Sequence, residues 1–371
     1  MVFLKDATSI SRTLSNELDL SRIGDKCFAG VIGDSPSRYS KSPLLWNAAF
    51  HHLRFNAIYL PFDVGVDRLE DLLNALRACE GFLGVNVTVP HKVAVMGFLD
   101  SIDAGAQRVE AVNTIVKRPD GKLIGYNTDG EGFVASVLKR QPDCPANFAS
   151  SLNAMNVLLI GAGGSARAVA FHVADEMAGS KLLICNRTRE HAASLARAIQ
   201  NAGKDALAIS EEELSSWAPK AGLVVNSTTK GQGGIRRMPN GTATLLEPYS
   251  ALAPAHPPLL AATEFDRTGG EEQWRKAASA DIESNNQASM KLAESIPPES
   301  GFYDLIYYPE ETVFLRHARS TGHPTMNGKP MIVNQAALAF CNHICKAELQ
   351  TRAIDTPETY QQILEVMYSA W

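Results

Sequence analysis

Val157-Leu158-Leu159-Ile160 is an unbroken apolar run that passes directly into Gly161-Ala162-Gly163-Gly164-Ser165-Ala166. Such a run reads as a strand buried on both faces, and strands of that kind belong to parallel sheets covered by helices on either side. Gly161 permits a tight turn, Gly163 lets a pyrophosphate approach the backbone, and Ala166 lets the next helix pack close against the strand. Backbone N–H groups and the dipole at that helix start, from Gly163 through Gly164 and Ser165, favour phosphate charge, with Ala162 spanning the turn. Arg167 to Ala178 continues as a helix and Lys181 to Cys185 gives the following strand, completing a βαβ unit of the expected length. A glycine turn alone could be purely structural; this context reads as a dinucleotide turn.

The end of the second strand speaks to which dinucleotide. An NAD site usually places Asp or Glu there for the ribose 2′-hydroxyl. Here the residues are Asn186-Arg187-Thr188-Arg189. Two guanidinium groups and a hydroxyl suit a 2′-phosphate, because arginine grips phosphate oxygens in a bidentate fashion. The competing reading is a pair of solvated arginines at a helix start. NADP is the expected cofactor, and NAD stays open.

At 371 residues the chain exceeds the usual single-domain range of roughly 100–200 residues, so two domains are expected. Charged residues make up 20% and the net charge is −5, which supplies no global attraction to nucleic acid. No apolar run reaches the ~18 residues needed to cross a bilayer, and the start lacks the pattern of a secretory leader. The Asn-x-Ser/Thr triplets at Asn86, Asn186, Asn226 and Asn240 therefore carry no weight as glycosylation sites. Six scattered cysteines without paired CxxC spacing imply reduced cytoplasmic thiols and no metal centre. Cys341 and Cys345, one helical turn apart, read as helix-face residues.

Residues 1–25 are polar and mixed, and read as a flexible extension. From Phe28 onward, short apolar runs (Phe28–Ile32, Ala57–Val64, Phe82–Val89) alternate with helical patterns (Pro43–Leu53, and Leu69, Leu72, Leu73 and Leu76 on one face). Alternation of this kind implies a parallel sheet. Pro119-Asp120-Gly121 between Val112–Val116 and Leu123–Tyr126 reads as a hairpin turn. Gln141–Asn153 lacks periodicity and reads as a connection. Between Gly231 and Gly301 the chain is rich in Pro, Ala, Ser and Gly, with one short helical pattern at Glu271–Ala278. That stretch is expected to be a mobile insertion. Ile332–Cys345 and the tail read as further helices.

Several polar side chains stand at element ends in the first half. Lys92 follows the strand Val85–Val89, where parallel sheets put their ligand crevice, and Asp129 follows the hairpin. Most lysines are merely solvated, and either residue alone is unremarkable. With Ser40, Ser42, Asn86 and Asn113 they form a set of hydroxyls, amides, one ammonium and one carboxylate, suited to a polyhydroxylated carboxylic acid.

The ordered motifs Ser40-Lys41-Ser42-Pro43, Asn86 to Lys92, Ala111-Val112-Asn113-Thr114, Gly125 to Gly130, Gly161 to Ala168, Asn186-Arg187-Thr188, Asn226-Ser227-Thr228, Tyr303-Asp304 with Tyr307-Tyr308-Pro309, and Gly328 to Gln335 resemble the shikimate/quinate dehydrogenase family. They run from about residue 28 to 345 in the family's order. The resemblance implies an α/β protein of two domains: an N-terminal substrate domain over 26–130 plus 333–371, and a Rossmann domain over 131–332 carrying the insertion at about 231–300. The C-terminal helices would return to the first domain.

It further implies that Ser40 and Ser42 hold a carboxylate, that Asn86, Thr88, Asn113 and Gln335 bind ring hydroxyls, and that Lys92 and Asp129 are the catalytic pair. Ser227, Thr228 and Met331 join the glycine turn and Asn186 to Arg189 as cofactor residues. The implied reaction is reversible hydride transfer between nicotinamide and shikimate or 3-dehydroshikimate, by a cytoplasmic monomer or homodimer whose only partners are small molecules. A quinate dehydrogenase is the main alternative, and a ligand-sensing homologue without turnover is the second. The chain departs from the family pattern at the Asp34–Tyr39 loop, one residue longer, at Trp46, at Pro330, and at Lys230-Gly231.

Overall fold

Strand β1 (Cys27–Gly33) sends alternate side chains to opposite faces, as the two-residue period of a strand requires, and each face has its own core. Phe28 and Ile32 join Leu60, Phe62, Leu72, Leu76 and Val85 on one side. Ala29 and Val31 join Trp46, Phe50 and Tyr59 on the other. The computed structural model describes residues 8–238 and 240–371. These residues divide into two units.

The first unit takes the described residues up to Ser136, with Gln141–Pro145 and Met331–Trp371. Its sheet adds β2 (Ala57–Asp63), β3 (Phe82–Val87), β4 (Ser101–Ile102), β5 (Thr114–Lys117) and β6 (Leu123–Tyr126), in the order β2-β1-β3-β5-β6-β4. β1 lies parallel to both β2 and β3, as the alternation with helices predicts. β5 runs antiparallel to β3 and β6, so the sheet is mixed and not purely parallel. The β5–β6 reversal is made by the hairpin turn, where Gly121 takes the left-handed conformation at φ +83. Helices Ser42–His52 and Leu69–Ala78 cover the two faces, the latter burying Leu69, Leu72, Leu73 and Leu76. The chain returns at its end: Val333, Phe340, Ile344, Ile363 and Met367 pack into the core with Trp46. They come from helix Lys329–Leu338, the π-helical turn Ala339–Ile344 and helix Pro357–Ser369.

The expectation of a flexible extension over 1–25 is corrected from residue 8 on; residues 1–7 lie outside the described residues. Ile10 and Ile23 are buried in the first core. Ser15 donates its backbone N–H to the Asp63 carbonyl at 2.8 Å, and Asn16 exchanges side-chain hydrogen bonds with Pro61 and Asp63. Polar side chains made this segment look solvated, yet they satisfy the open edge of β2.

The second unit comprises Val137–Arg140 and Ala146–Pro330. The first break falls inside helix Asp129–Leu138, later than the 130/131 boundary read from sequence, because Asp129 pairs with Lys92 and Gly132 lies against Gln335, which keeps the first turn of that helix in the first unit. Strands β7 (Val157–Ile160), β8 (Leu182–Cys185), β9 (Ala206–Ile209) and β10 (Leu223–Asn226) precede the insertion, and β14 (Gly301–Asp304) and β15 (Thr325–Met326) follow it. They pair in the order β15-β14-β10-β7-β8-β9, all parallel. This is the doubly wound arrangement, and its order reverses between β7 and β10, where ligands bind in such sheets.

The insertion is folded, against the mobile segment read from composition. Strands β11 (Ile235–Arg237), β12 (Thr242–Leu245) and β13 (Leu260–Ala261) form a small antiparallel sheet. A single helix runs from Gly270 to Ser295, so the short pattern at Glu271–Ala278 is only its first third. Leu245, Tyr249, Phe265 and Trp274 make a core of their own. Among the described residues no helix is long and apolar enough to cross a membrane.

Candidate active site

β3, β5 and the segment after β6 deliver the polar side chains of the first unit to one place. Lys92 Nζ donates to Asp129 Oδ2 at 2.5 Å, with the two side chains 17% and 7% exposed. The other carboxylate oxygen, Oδ1, accepts from Asn113 Nδ2 at 2.8 Å. Asn113 Oδ1 in turn takes the backbone N–H of Thr128 at 2.9 Å. Thr128 Oγ1 donates to the Gln335 carbonyl at 3.1 Å, and the Gln335 side-chain oxygen stands 3.4 Å from Asn113 Nδ2. Backbone bonds hold the segments in register, since Val112 N–H donates to the Lys92 carbonyl and Asn113 N–H to Tyr126. A partly buried ion pair with hydrogen bonds on both carboxylate oxygens is fixed in direction as well as in charge.

Asn86 is brought to the same site on β3. Its Nδ2 donates to Thr114 Oγ1 at 3.1 Å and its Oδ1 accepts from Tyr59 OH at 2.7 Å. Burial pushes the Tyr59 phenol well above its ordinary range, opposed by hydrogen bonding to Ser42 and Asn86, so it remains a donor. Trp46, where the chain departs from the family, is fully buried and stacks on Tyr59 at 4.8 Å. It therefore packs behind Tyr59, away from solvent. Ser40 Oγ accepts the Ser42 N–H at 3.2 Å, and Ser40, Ser42 and Thr88 are half-buried. His91, between the two motif residues Pro90 and Lys92, is spent on the Val64 carbonyl at 2.8 Å.

The glycine turn stands at the end of β7, in the second unit. Gly161 takes φ +117, and a Cβ there would meet Ser227 Oγ at 2.4 Å. Ser227 is pinned over the turn because its N–H and its Oγ both donate to the Ile160 carbonyl at 2.8 Å. By contrast, a Cβ on Gly163 or Gly164 would meet no protein atom within 4 Å, and both are exposed at the start of helix Gly164–Glu176. Bare backbone N–H groups at the N-terminus of a thirteen-residue helix fit a pyrophosphate. Ala166 is fully buried where helix meets strand, while Ala162 and Ser165 are half-buried.

Asn186, Arg187, Thr188 and Arg189 follow β8, with both arginines exposed. Arg187 makes no hydrogen bond or ion pair among the described residues. Arg189 reaches Glu213 only at 3.9 Å, an exposed pair worth little. Ser227 and Thr228 follow β10. Met331, read with the same set, belongs to the first unit and is buried at the start of helix Lys329–Leu338. Cys185, at the end of β8, is pushed up to about 12 by burial, which keeps it a thiol.

The family model described as "Shikimate dehydrogenase substrate binding domain" matches residues 31–115, and "Shikimate / quinate 5-dehydrogenase" matches residues 145–238. A relative named shikimate dehydrogenase (NADP(+)) from Symbiobacterium thermophilum is 37% identical over 316 residues, covering 84% of this chain and 86% of the relative. The chain belongs to the shikimate dehydrogenase family. The crystal structure of the Thermus thermophilus shikimate 5-dehydrogenase in complex with NADP(H) and shikimate shares the family fold with a TM-score of 0.60 at 28% identity, over 93% of this chain and 99% of that one. A quinate dehydrogenase from Corynebacterium glutamicum in complex with NAD, at 24% identity over 93% and 99% of the two chains, has a TM-score of 0.65 and shows the fold alone.

Three further residues matter to the geometry and were not singled out from sequence. Thr128 bridges Asn113 and Gln335, and Tyr59 anchors Asn86. Asp304, at the end of β14, is completely buried and accepts from Asn226 Nδ2 at 3.0 Å and Thr312 Oγ1 at 2.6 Å. Thr128 and Asp304 sit inside the ordered motifs, which was a usable signal. Tyr59 is one aromatic of an apolar strand, and nothing local marks it.

Proposed function

We propose that this chain is an NADP-dependent shikimate dehydrogenase, which interconverts shikimate and 3-dehydroshikimate by reversible hydride transfer. The observation that carries the reading is the Lys92–Asp129–Asn113 chain, in which an ammonium is held by a carboxylate that an amide orients from its other side. Bound NADP would supply the hydride acceptor or, when reduced, the donor. When the carbonyl carbon gains hydride, Lys92 gives a proton to its oxygen. In the reverse direction the freed hydroxyl proton returns to Lys92. Asp129 aligns the ammonium and the reacting oxygen.

In this reading Ser40 and Ser42 hold the ring carboxylate, and Asn86, Thr88, Asn113 and Gln335 take the ring hydroxyls. Gly161 through Ala166 cradle the pyrophosphate, with Ser227, Thr228 and Met331 toward the nicotinamide. Asn186, Arg187, Thr188 and Arg189 receive the adenosine 2′-phosphate. Two exposed guanidinium groups and no carboxylate among these four residues support NADP over NAD. The substrate residues fall in 26–130 plus 333–371 and the cofactor residues in 131–332. The enzyme would act in the cytoplasm as a monomer or homodimer on small molecules.

Steady-state rates with shikimate and quinate, each with NADP and NAD, test the reading. The expected result is the highest kcat/KM for shikimate with NADP. A higher value for quinate with NAD would replace it, and nucleotide binding without any turnover would make the chain a sensor.

A further inference from the structure

Lys230 is where the loop after β10 departs from the family pattern, and it is also where the inserted segment touches that loop. Its side chain is largely buried, and Nζ donates to Glu211 Oε1 and to the Ala253 carbonyl, both at 2.8 Å. Ala253 lies within the insertion, and its carbonyl also accepts Asn285 Nδ2 at 3.0 Å. Asn285 is itself buried in helix Gly270–Ser295, where it accepts the Ser250 N–H and donates to Pro254. One carbonyl oxygen is thus shared by the long helix of the insertion and by Lys230.

From Lys230 the connections run back to the glycine turn. The Lys230 carbonyl accepts Asn226 Nδ2 at 3.1 Å, and its N–H donates to Thr228 Oγ1 at 3.1 Å. Asn226 Oδ1 accepts both the N–H and the hydroxyl of Thr228. Ser227, between them, lies against Gly161. A second contact arrives from β11, where Arg236 Nη1 donates to Thr229 Oγ1 at 2.5 Å. A loop residue with a long flexible side chain is ordinarily solvated; here the ammonium is withdrawn from water into two fixed acceptors.

We infer that Lys230 is a positioning residue for the nucleotide, through which the inserted segment clamps Ser227 and Thr228 over the glycine turn. The inference rests on the proposed nucleotide site at Gly161. It predicts an effect on nucleotide affinity and little on the hydroxy acid, whose proposed ligands belong to the other unit. Removing the lysine leaves the Glu211 carboxylate without its partner and takes away the loop's bond to the Ala253 carbonyl, with only the contact from Arg236 to Thr229 left of the two.

The test uses the full chain, titrating NADPH by nucleotide fluorescence and measuring shikimate oxidation with NADP. Lys230→Met is expected to raise the NADPH Kd and the nucleotide KM on the order of tenfold, with kcat and shikimate KM within about threefold of wild type. Lys230→Arg, which keeps donors for both acceptors, should restore affinity to within about threefold. An unchanged NADPH Kd in Lys230→Met overturns the inference. So does a loss spread equally over kcat and both KM values that arginine does not rescue. Should Lys230→Met not fold, Glu211→Ala, which removes that acceptor, replaces it and must weaken NADPH alone; failure to do so is equally decisive. A wild-type chain that binds NADPH but does not oxidise shikimate would sink the proposed activity and leave the Kd comparison standing.

Discussion

Asp304 holds a carboxyl group that the fold keeps from water. Burial pushes its pKa from 3.8 up to about 7, against hydrogen bonds from Thr312, the Ile306 N–H and Asn226 that act to lower it. A folded-state value above the unfolded one means that folding favours the protonated form. The stabilising contribution is therefore complete below about pH 4 and is lost as pH climbs through about 7. Asp304→Asn keeps an acceptor for Asn226 and Ile306 and removes the titration. Urea midpoints at pH 5, 6, 7 and 8 are expected to show wild type losing stability relative to the variant as pH rises. Parallel curves would refute the assignment. Lys92 and Asp129 were legible in the sequence because each follows an element end within a motif. The burial of Asp304 was not, because it depends on β10 and on Thr312, which only the tertiary structure brings to it.

At the scale of elements, the site depends on two helices that approach more closely than side chains ordinarily allow. A Cβ on Gly132 would lie 2.7 Å from the Gln335 backbone nitrogen and 2.9 Å from its Cα, so helix Asp129–Leu138 meets helix Lys329–Leu338 backbone to backbone. Thr128 bonds the Gln335 carbonyl across the same contact. Gly132→Ala must push Gln335 away, which is expected to cost about 1–3 kcal/mol of stability. The shikimate KM should rise on the order of tenfold while nucleotide affinity holds. Chemical denaturation with the two KM values checks this, and an unaltered shikimate KM would count against Gln335 as a substrate ligand. The strands around the site were readable from apolar runs and turn residues. The closeness of these helices was not, because a glycine in a helical pattern looks like a weakness until its neighbour is known. The π-helical turn Ala339–Ile344 was equally hidden, since its apolar run is as compatible with an α-helix.

At the scale of the whole molecule, the two-unit plan was legible because the glycine turn and the motifs fall in a fixed order along the chain. The fold of the insertion is hidden in its sequence for a physical reason. Helix Gly270–Ser295 seats itself with Gly270, Ala278, Asn285, Ser289 and Ala293, small or polar residues that leave little hydrophobic periodicity, and only Trp274 is large. Polar pairing does what apolar area does elsewhere: Ser289 Oγ bonds Ser250 Oγ at 2.6 Å and contacts His317 Nδ1 at 2.9 Å.

In the proposed function Lys92, fixed by Asp129, moves the proton while a nicotinamide nucleotide exchanges hydride with shikimate. Absorbance of NADPH formed from shikimate and NADP, for wild type beside Lys92→Met, tests it most directly. The expected result is turnover by wild type and a kcat lowered about 10²–10⁴-fold in the variant, with NADPH binding kept within about twofold. No turnover by wild type, or a variant as fast as wild type, would contradict it.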